Sequence, residues 1–366
     1  MAPGAYRRIA SAALVTSAFA CLFPLRLLSV PPEPALGGIV NPGGIAYCPE
    51  LHRVYAVNRA GGRLALHDVS LGTTTMVPVG GGPVSVALDG PRRRAYVADA
   101  DDGTLAVIDA VSGARLGAVA VGGRPYSVAV DTVRARAYVT DASGDGITRV
   151  DLATLLPVRV RTGSADLVGI DPNRGNAYLI GYGTALRILD ANSGAVREVS
   201  AGRHAWGLSV EAARGAAFVC LIEDSQVAEI DGESGACRLF PAGGIPCACA
   251  LDPVSGILVV ANYGGDSVTA LDVSSRRVLA TLRVKSHPVA VAVDPVRHMA
   301  FVANRGEEGI TAIDTVAWRV LVTLPGGTNP YAMAVVPGSD RLYVADNDAR
   351  QPLTVVDLRP LGTAPR

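Results

Sequence analysis

The sequence has no excess charge of either sign, because 33 lysines and arginines balance 33 aspartates and glutamates. This balance gives no electrostatic reason to expect a nucleic acid or an anionic membrane surface as a partner. Phenylalanine is scarce, with five residues, and charged residues make up only 18% of the chain against 49% hydrophobic. The 41 glycines and 24 prolines indicate many turns. Together with recurring valine and alanine, they favour many short strands over long amphipathic helices.

Common catalytic and cofactor motifs are also missing. The sequence contains no phosphate-binding loop, no Gly-x-Ser-x-Gly, no His-Glu-x-x-His and no Cys-x-x-Cys-His haem signature. The cysteine spacing does not match a structural zinc site, so no metal ligand set is predicted. One disulfide within residues 220–249 fits an oxidising compartment, and spacing leaves its connectivity open. The cysteines beyond residue 40 are Cys48, Cys220, Cys237, Cys247 and Cys249.

Residues 1–20 have the features of an export signal. Two arginines precede an apolar stretch, and Ala-Phe-Ala at 18–20 matches a small-residue cleavage site. A proline and an arginine interrupt the apolar run on its way to residue 30, which disfavours a full membrane span. An uncleaved anchor to about residue 30 and lipid attachment at Cys21 stay open as alternatives. We therefore expect an exported protein, periplasmic or extracellular, that touches a membrane only if its N-terminus is retained or lipidated.

Internal repeats predict the fold. One sequence pattern recurs: an alternating apolar run, an acidic turn, an aromatic-valine run, a polar loop, and a run that ends in aspartate. The closing aspartates are 39 to 43 residues apart, and the aromatic position follows the same period, so two independent markers identify eight copies. The closing aspartates are Asp68, Asp109, Asp151, Asp190, Asp231, Asp272, Asp314 and Asp357. The aromatic position holds Tyr55, Tyr96, Tyr138, Tyr178, Phe218, Phe301 and Tyr343, with Val259 in the sixth copy.

Each copy contains four runs of strand length, and four strands per period of about forty residues describe a propeller blade. We predict an all-β propeller of eight four-stranded blades over residues 38–358, followed by a tail at 359–366. Seven blades with one irregular copy is the alternative. The last copy lacks its fourth run, and residues 25–40 are a candidate to supply that outer strand and close the ring. Small residues at matching places of the first run suit crowded innermost strands: Ala87, Ala129, Ala250, Ala292 and Ala334.

Three segments resemble the signature of the YVTN family of β-propeller repeats. They read Val-Tyr-Ala-Val-Asn at 54–58, Ala-Tyr-Val-Thr-Asp at 137–141 and Ala-Phe-Val-Ala-Asn at 300–304. The resemblance covers about residues 40–358. It implies the propeller fold and leaves the activity open, because members of the family bind many things. Many such propellers are thought to have seven blades, and this sequence departs from that pattern by showing eight copies.

The predicted topology places two classes of loop on one face of the ring. The loop before the first strand and the loop after the second strand of each blade converge around one mouth of the central channel, where binding residues usually lie. Residues in these loops differ from copy to copy while structural positions hold steady, as expected of a surface adapted to a ligand. The ligand-binding candidates are Arg59, Arg124, Tyr126, Asp141, Tyr182, His204, Trp206, Glu223, Tyr263, His287, Arg305, Asn329 and Tyr331.

Three of these residues are also catalytic candidates: His204, Glu223 and His287. His204 and Glu223 are expected to form an acid–base pair, with an exposed ion pair as the alternative. His204 and His287 occupy the same slot in their copies and are expected to face each other across much of the channel. Joint metal coordination would need their nitrogens about 2 Å from one ion. Polar residues after the second strand also serve simply to cap turns, as expected for Asn58, Asp99, Asn262 and Asn304.

Two classes of function remain. The first is a monomeric binding module for a small molecule, glycan or protein at the channel mouth. The second is an enzyme at that mouth, a lyase or lactonase-like hydrolase, for which a divalent metal is an optional cofactor; it rests on analogy between folds. A purely structural envelope module is a third reading. No cofactor is predicted with the binding module.

Overall fold

Eight antiparallel sheets surround a common axis in the computed structural model, which describes residues 44–181, 185–307, 309–336, 339–346 and 352–362. The innermost strands of successive sheets contact each other, and that of the last sheet contacts that of the first, so the ring is closed. The predicted eight-bladed propeller is confirmed, and the seven-bladed alternative is wrong. The expected signal at residues 1–20 and the stretch 25–40 lie outside the described residues. Among those described, no helix has the length and apolarity to cross a membrane.

Blades 1 to 4 each contain four strands in sequential order. Blade 1 comprises β1 (Ile45–Cys48), β2 (Arg53–Asn58), β3 (Arg63–Asp68) and β4 (Thr73–Pro78). Blade 2 comprises β5 (Pro83–Asp89), β6 (Arg94–Asp99), β7 (Thr104–Asp109) and β8 (Arg115–Ala120). Blade 3 comprises β9 (Pro125–Asp131), β10 (Arg136–Asp141), β11 (Gly146–Asp151) and β12 (Pro157–Arg161). Blade 4 comprises β13 (Leu167–Asp171), β14 (Asn176–Ile180), β15 (Ala185–Asp190) and β16 (Val196–Ser200).

Blades 5 to 7 repeat this arrangement, and blade 8 contains three strands within the described residues. Blade 5 comprises β17 (Ala205–Glu211), β18 (Ala216–Leu221), β19 (Gln226–Asp231) and β20 (Cys237–Pro241). Blade 6 comprises β21 (Pro246–Asp252), β22 (Ile257–Asn262), β23 (Ser267–Asp272) and β24 (Arg277–Arg283). Blade 7 comprises β25 (Pro288–Asp294), β26 (Met299–Asn304), β27 (Gly309–Asp314) and β28 (Arg319–Leu324). Blade 8 comprises β29 (Pro330–Val335), β30 (Arg341–Asp346) and β31 (Leu353–Asp357).

Burial falls from the axis outward, as the residue types of the four runs predict. The innermost strand β9 is buried along its whole length, whereas the outermost strand β12 is almost entirely exposed. The five predicted axial alanines are all buried. The aromatic residues of the second strands are among the largest fully buried side chains and fill the space between neighbouring sheets.

The closing aspartates shape the turn that follows each third strand. Asp109 Oδ1 accepts hydrogen bonds from the N–H groups of Val111 at 3.0 Å and Ser112 at 2.8 Å. These bonds, the Ser112 one foremost, lower the pKa of Asp109 because they favour its charged form. Gly113 then adopts a left-handed φ of 75°, which glycine tolerates without a steric penalty. The repeated Asp-x-x-Ser-Gly pattern therefore encodes a self-capped turn.

Arginines on the face opposite the predicted channel mouth connect several of the blades to the blade that follows. Arg134 pairs with Asp131 at 3.1 Å and donates to the carbonyl of Pro172 in the next blade at 2.9 Å. We call this contact the arginine clasp. Blade 5 is different, because its Arg214 pairs with Glu229 of the same blade at 3.6 Å. Equivalent clasps are formed by Arg92, Arg174 and Arg297.

Side chains also close the ring between its last and first blades. The His67 ring in β3 lies 5.1 Å from that of Tyr343 in β30, and Arg341 donates to the carbonyl of Val69 at 3.4 Å. Burial foremost, and then the Arg341 charge, lower the pKa of His67. The closure therefore joins blade 8 to blade 1 through a neutral ring pair and an arginine.

The five cysteines of the described residues are free thiols. The disulfide expected within residues 220–249 is therefore not formed in this structure. Cys48, Cys220, Cys247 and Cys249 are buried.

Candidate functional site

Main-chain hydrogen bonds tie the two predicted classes of mouth loop together. The N–H of Ala142, after the second strand of blade 3, donates to the carbonyl of Arg124, before the first strand, at 2.9 Å. Ile222 and His204 form the same bond in blade 5 at 3.0 Å. Blades 2, 6 and 7 repeat it. We call the face formed by these joined loops the rim.

The rim slot before the first strand has an unusual backbone conformation. His204, Ile245 and His287 all adopt left-handed φ values, of 50°, 52° and 55°, where blade 2 has Gly82 at 62°. A side chain in this region costs free energy that glycine avoids. Strained non-glycine residues of this kind occur disproportionately where function requires a particular side chain.

In blade 5 the structure brings His204 and Glu223 together as predicted. His204 Nδ1 lies 2.5 Å from Glu223 Oε1, with a quarter of the histidine side chain and 40% of the glutamate exposed. Arg203 contacts Glu223 at 3.4 Å and Asp224 at 2.9 Å. The arrangement fits both predicted readings, a proton-transferring pair and part of an exposed ion-pair network.

Four predicted residues from blades 6, 7 and 8 form a continuous line of contacts along the rim. The rings of Tyr263 and His287 are 4.7 Å apart and inclined by 31°. Arg305 Nε donates to Asn329 Oδ1 at 3.0 Å. Burial raises the pKa of Tyr263, and the charge of Arg305 opposes that shift. The N–H of Arg305 donates to the carbonyl of His287 at 2.9 Å, which joins the two pairs. We call these four residues the aromatic–arginine cluster.

In blades 1 to 3 the predicted residues have mainly structural partners. Arg59 forms an ion pair with Asp101 of the neighbouring blade at 3.1 Å. Asp141 accepts a bond from the N–H of Arg124 and pairs with Arg159, both at 2.9 Å. Burial alone would raise the pKa of Asp141, but these bonds hold it below its ordinary value. The Arg124 side chain itself is exposed.

Four candidates are not seen as exposed rim side chains: two are buried, and the side chains of the other two lie outside the described part of the chain. Tyr126 and Trp206 lie in first strands, where each is less than one-tenth exposed, and Trp206 belongs to the largest apolar cluster of the described residues. Tyr182 lies outside the described residues. Tyr331 lies in β29, but its side chain is outside the described part of the chain.

The expectation that His204 and His287 face each other across much of the channel is wrong. They belong to blades 5 and 7, so a single blade separates them around the ring. His204 is paired with Glu223, whereas His287 stacks on Tyr263. Among the described residues, no group of three or more His, Cys, Asp or Glu side chains is placed to hold a metal ion.

The sequence reasoning did not single out Asp266, and it expected Asp99 to cap a turn, which the structure contradicts. Asp266, in a left-handed conformation, accepts the N–H of His287 at 2.9 Å and so positions that histidine. Asp99 is fully buried and neither carboxylate oxygen has a hydrogen-bond partner. Asp99 occupies the slot that holds Asn262 in blade 6. This change from an amide to a carboxyl between copies was the sequence feature that could have pointed to Asp99.

The face opposite the rim has cavities whose lining residues bond neighbouring blades to each other. One, of about 490 Å³, lies between blades 4 and 5 and is lined by Arg174 and Arg197 among others. Arg197 donates to the carbonyls of Gly232 and Glu233, both at 2.8 Å, and Arg174 forms a clasp. These arginines hold blades together.

Solved structures share this fold. Hydrazine synthase of Kuenenia stuttgartiensis is similar with a TM-score of 0.60 and 18% identity over 74% of this chain and 94% of that chain. The dihydro-haem d1 dehydrogenase NirN, in complex with DHE, is similar with a TM-score of 0.63 and 16% identity over 78% of this chain and 66% of that chain. At these identities the likeness shows the fold alone. No protein-family model matches the sequence, and no curated protein matches it either.

Proposed function

We propose that this chain is an exported binding protein of the YVTN-repeat type, which takes a small molecule, glycan or protein on the rim of blades 5 to 8. The observation that carries the proposal is the aromatic–arginine cluster. It joins side chains from three successive blades on loops that a rigid β scaffold holds. Aromatic faces beside a few directional polar groups are typical of ligand sites.

The position of His287 supports the same site. Its backbone is left-handed, its N–H is held by Asp266, and its ring stacks on Tyr263. The fold is maintained in blade 2 with Gly82 in this slot, so a histidine there has no role that the scaffold requires. Strain without a structural need favours a role in recognition.

The similarity in fold supports ligand binding, and the sequence supports export and membership of the repeat family. The similar NirN structure was solved in complex with DHE, so a ring of this shape is compatible with binding a ligand. The export signal features at residues 1–20 and the three Tyr-Val-type segments support export and the repeat family.

The test is native mass spectrometry, with metal analysis, on the mature protein isolated from its own exported fraction. We expect a stoichiometric ligand or partner on the wild type, and its loss from the Tyr263→Ala, Arg305→Ala double variant. Arg238→Ala is the matched control, because Arg238 is an exposed arginine on the opposite face. A bare wild-type protein, or a ligand that the double variant retains in full, would contradict the proposal.

A second function, an enzyme at the rim, is favoured by one observation. The 2.5 Å contact of His204 Nδ1 with Glu223 Oε1 is the geometry in which a carboxylate orients a histidine base. Glu223→Gln would then reduce turnover of a simple lactone probe and change its pH profile. Equal turnover by the wild type and Glu223→Gln would leave the contact as an ion pair.

A further inference from the structure

The interface between blades 5 and 6 brings two thiols together. Cys220 lies in β18 and Cys249 in β21, and both belong to one apolar cluster that includes Phe218. Cys220 is fully buried and Cys249 is 8% exposed. Cys249 Sγ lies 3.8 Å from the carbonyl oxygen of Phe218, two residues before Cys220 in β18, and the neighbouring Cys249 thiol raises the pKa of Cys220.

The repeat shows that this pairing is specific to one interface. At six of the interfaces the fifth residue of the second strand and the fourth residue of the first strand of the next blade belong to one apolar cluster. Cysteine fills both slots between blades 5 and 6. Five other interfaces have the same two slots within one apolar cluster, filled by Val57 with Val86, Ala98 with Val128, Ile180 with Leu208, Ala261 with Val291, and Ala303 with Met333.

We propose that Cys220 and Cys249 form a disulfide bond that joins blades 5 and 6 when the chain folds in an oxidising compartment. One S–S bond forms as both S–H bonds break. The two electrons and two protons pass to a disulfide oxidant such as oxidised glutathione, which is reduced to two thiols.

The other cysteines have different surroundings. Cys247 shares β21 with Cys249, but its thiol donates to the carbonyls of Pro288 at 3.2 Å and Ala261 at 3.5 Å, toward blade 7. Cys237 begins the outermost strand β20 and is partly exposed. Cys48 lies in blade 1, where its thiol contacts Glu50 at 3.3 Å.

The bond would form before the blades are fully packed. A thiolate is the species that attacks a disulfide. The interaction with the Cys249 thiol, and then burial, raise the pKa of Cys220 well above its ordinary value, so the folded pair holds little thiolate. The oxidant therefore has to act during folding, while both cysteines are still accessible.

The position of the pair gives the bond a structural consequence. Blade 5 directs Arg214 to its own Glu229, so this arginine does not form the clasp that Arg174 forms between blades 4 and 5. A covalent link at the 5–6 interface would supply the connection that the arginine clasp supplies elsewhere.

The test is to refold the full chain from the reduced, denatured state in a mixture of oxidised and reduced glutathione. We expect an intact mass lower by two hydrogen atoms and a peptide pair linked through Cys220 and Cys249. The link should vanish in Cys220→Ala and in Cys249→Val and persist in Cys237→Ser. Both diagnostic changes install residues that other blades carry in these slots, so we expect these variants to fold.

Refolding with dithiothreitol provides the reduced reference. We expect the oxidised wild type to unfold at a higher temperature than this reference, and Cys249→Val to show no such difference. A refolded wild type in which Cys220 and Cys249 stay free, or in which either is linked to another cysteine, would overturn the proposal.

Discussion

Replacing Asp99 by asparagine is expected to stabilise the protein in a pH-dependent manner. The equivalent Asn262 donates to Thr269 Oγ1 at 2.9 Å and accepts the N–H of Gly243 at 3.0 Å. Asp99 has no such partners. Burial, with a smaller contribution from Asp102, raises the pKa of Asp99 from 3.8 to about 7. The amide would fill the same space without a charge to bury.

The sign and size of this change in the free energy of unfolding follow from proton linkage. Below the unfolded-state pKa both states are protonated and the carboxyl carries no penalty. As pH rises from there to about 7, the unfolded state ionises first and the free energy of unfolding falls. One pKa unit corresponds to about 1.4 kcal/mol, so the penalty above pH 7 is at most about 4 kcal/mol. We expect Asp99→Asn to recover about 2–4 kcal/mol at about pH 8 and almost nothing at about pH 3.

The assay is urea unfolding followed by circular dichroism at several pH values between about 3 and about 8. Asn262→Asp is the matched converse, because it places a carboxyl in an equally buried slot and should lose stability as pH rises. If Asp99→Asn changed stability by the same amount at every pH, the buried-charge explanation would be refuted.

Two further substitutions test the packing of the ring. Arg297→Ala removes the clasp between blades 7 and 8 and leaves the buried Asp294 unpaired, so urea unfolding should show a loss of about 3 kcal/mol; a loss below about 1 kcal/mol would refute the clasp. Gly207→Ala places a Cβ 2.6 Å from the carbonyl oxygen of Cys247 and should cost about 1–3 kcal/mol in thermal unfolding. Gly117→Ala, with no atom within 4 Å of the new Cβ, is its control and should be nearly neutral.

The blade architecture was predictable because each of its determinants is local to one repeat. Asp109 caps its own turn, and the nearby Tyr96 fills the space between two sheets whatever the rim carries. These requirements recur about every forty residues, so the pattern is recognisable across eight copies even where one copy departs from it at a single position. The pairing of His204 with Glu223 was also predictable, because main-chain bonds hold their two loops together within one blade.

Properties that depend on a neighbouring blade, or on the balance of several contacts, were not predictable. Asp99 and Asp141 occupy the same slot, but the pKa of Asp99 is raised and that of Asp141 is lowered. The difference comes from Arg159 and from the N–H groups that reach Asp141, which slot identity does not reveal. The contact of Tyr263 with His287 likewise joins two blades. Residue types at the rim were visible in the sequence, whereas their contacts were not.

The main-chain bonds that hold the rim separate recognition from folding. Because the bond between Ile222 and His204 uses backbone atoms, the side chain before the first strand can change while the loop keeps its shape. Each of the five blades with this bond thus offers one position at which a side chain can be substituted without a compensating change in the core. A lineage of such rings can diversify what it binds at little risk to the scaffold, and a designer can treat the same positions as independent variables.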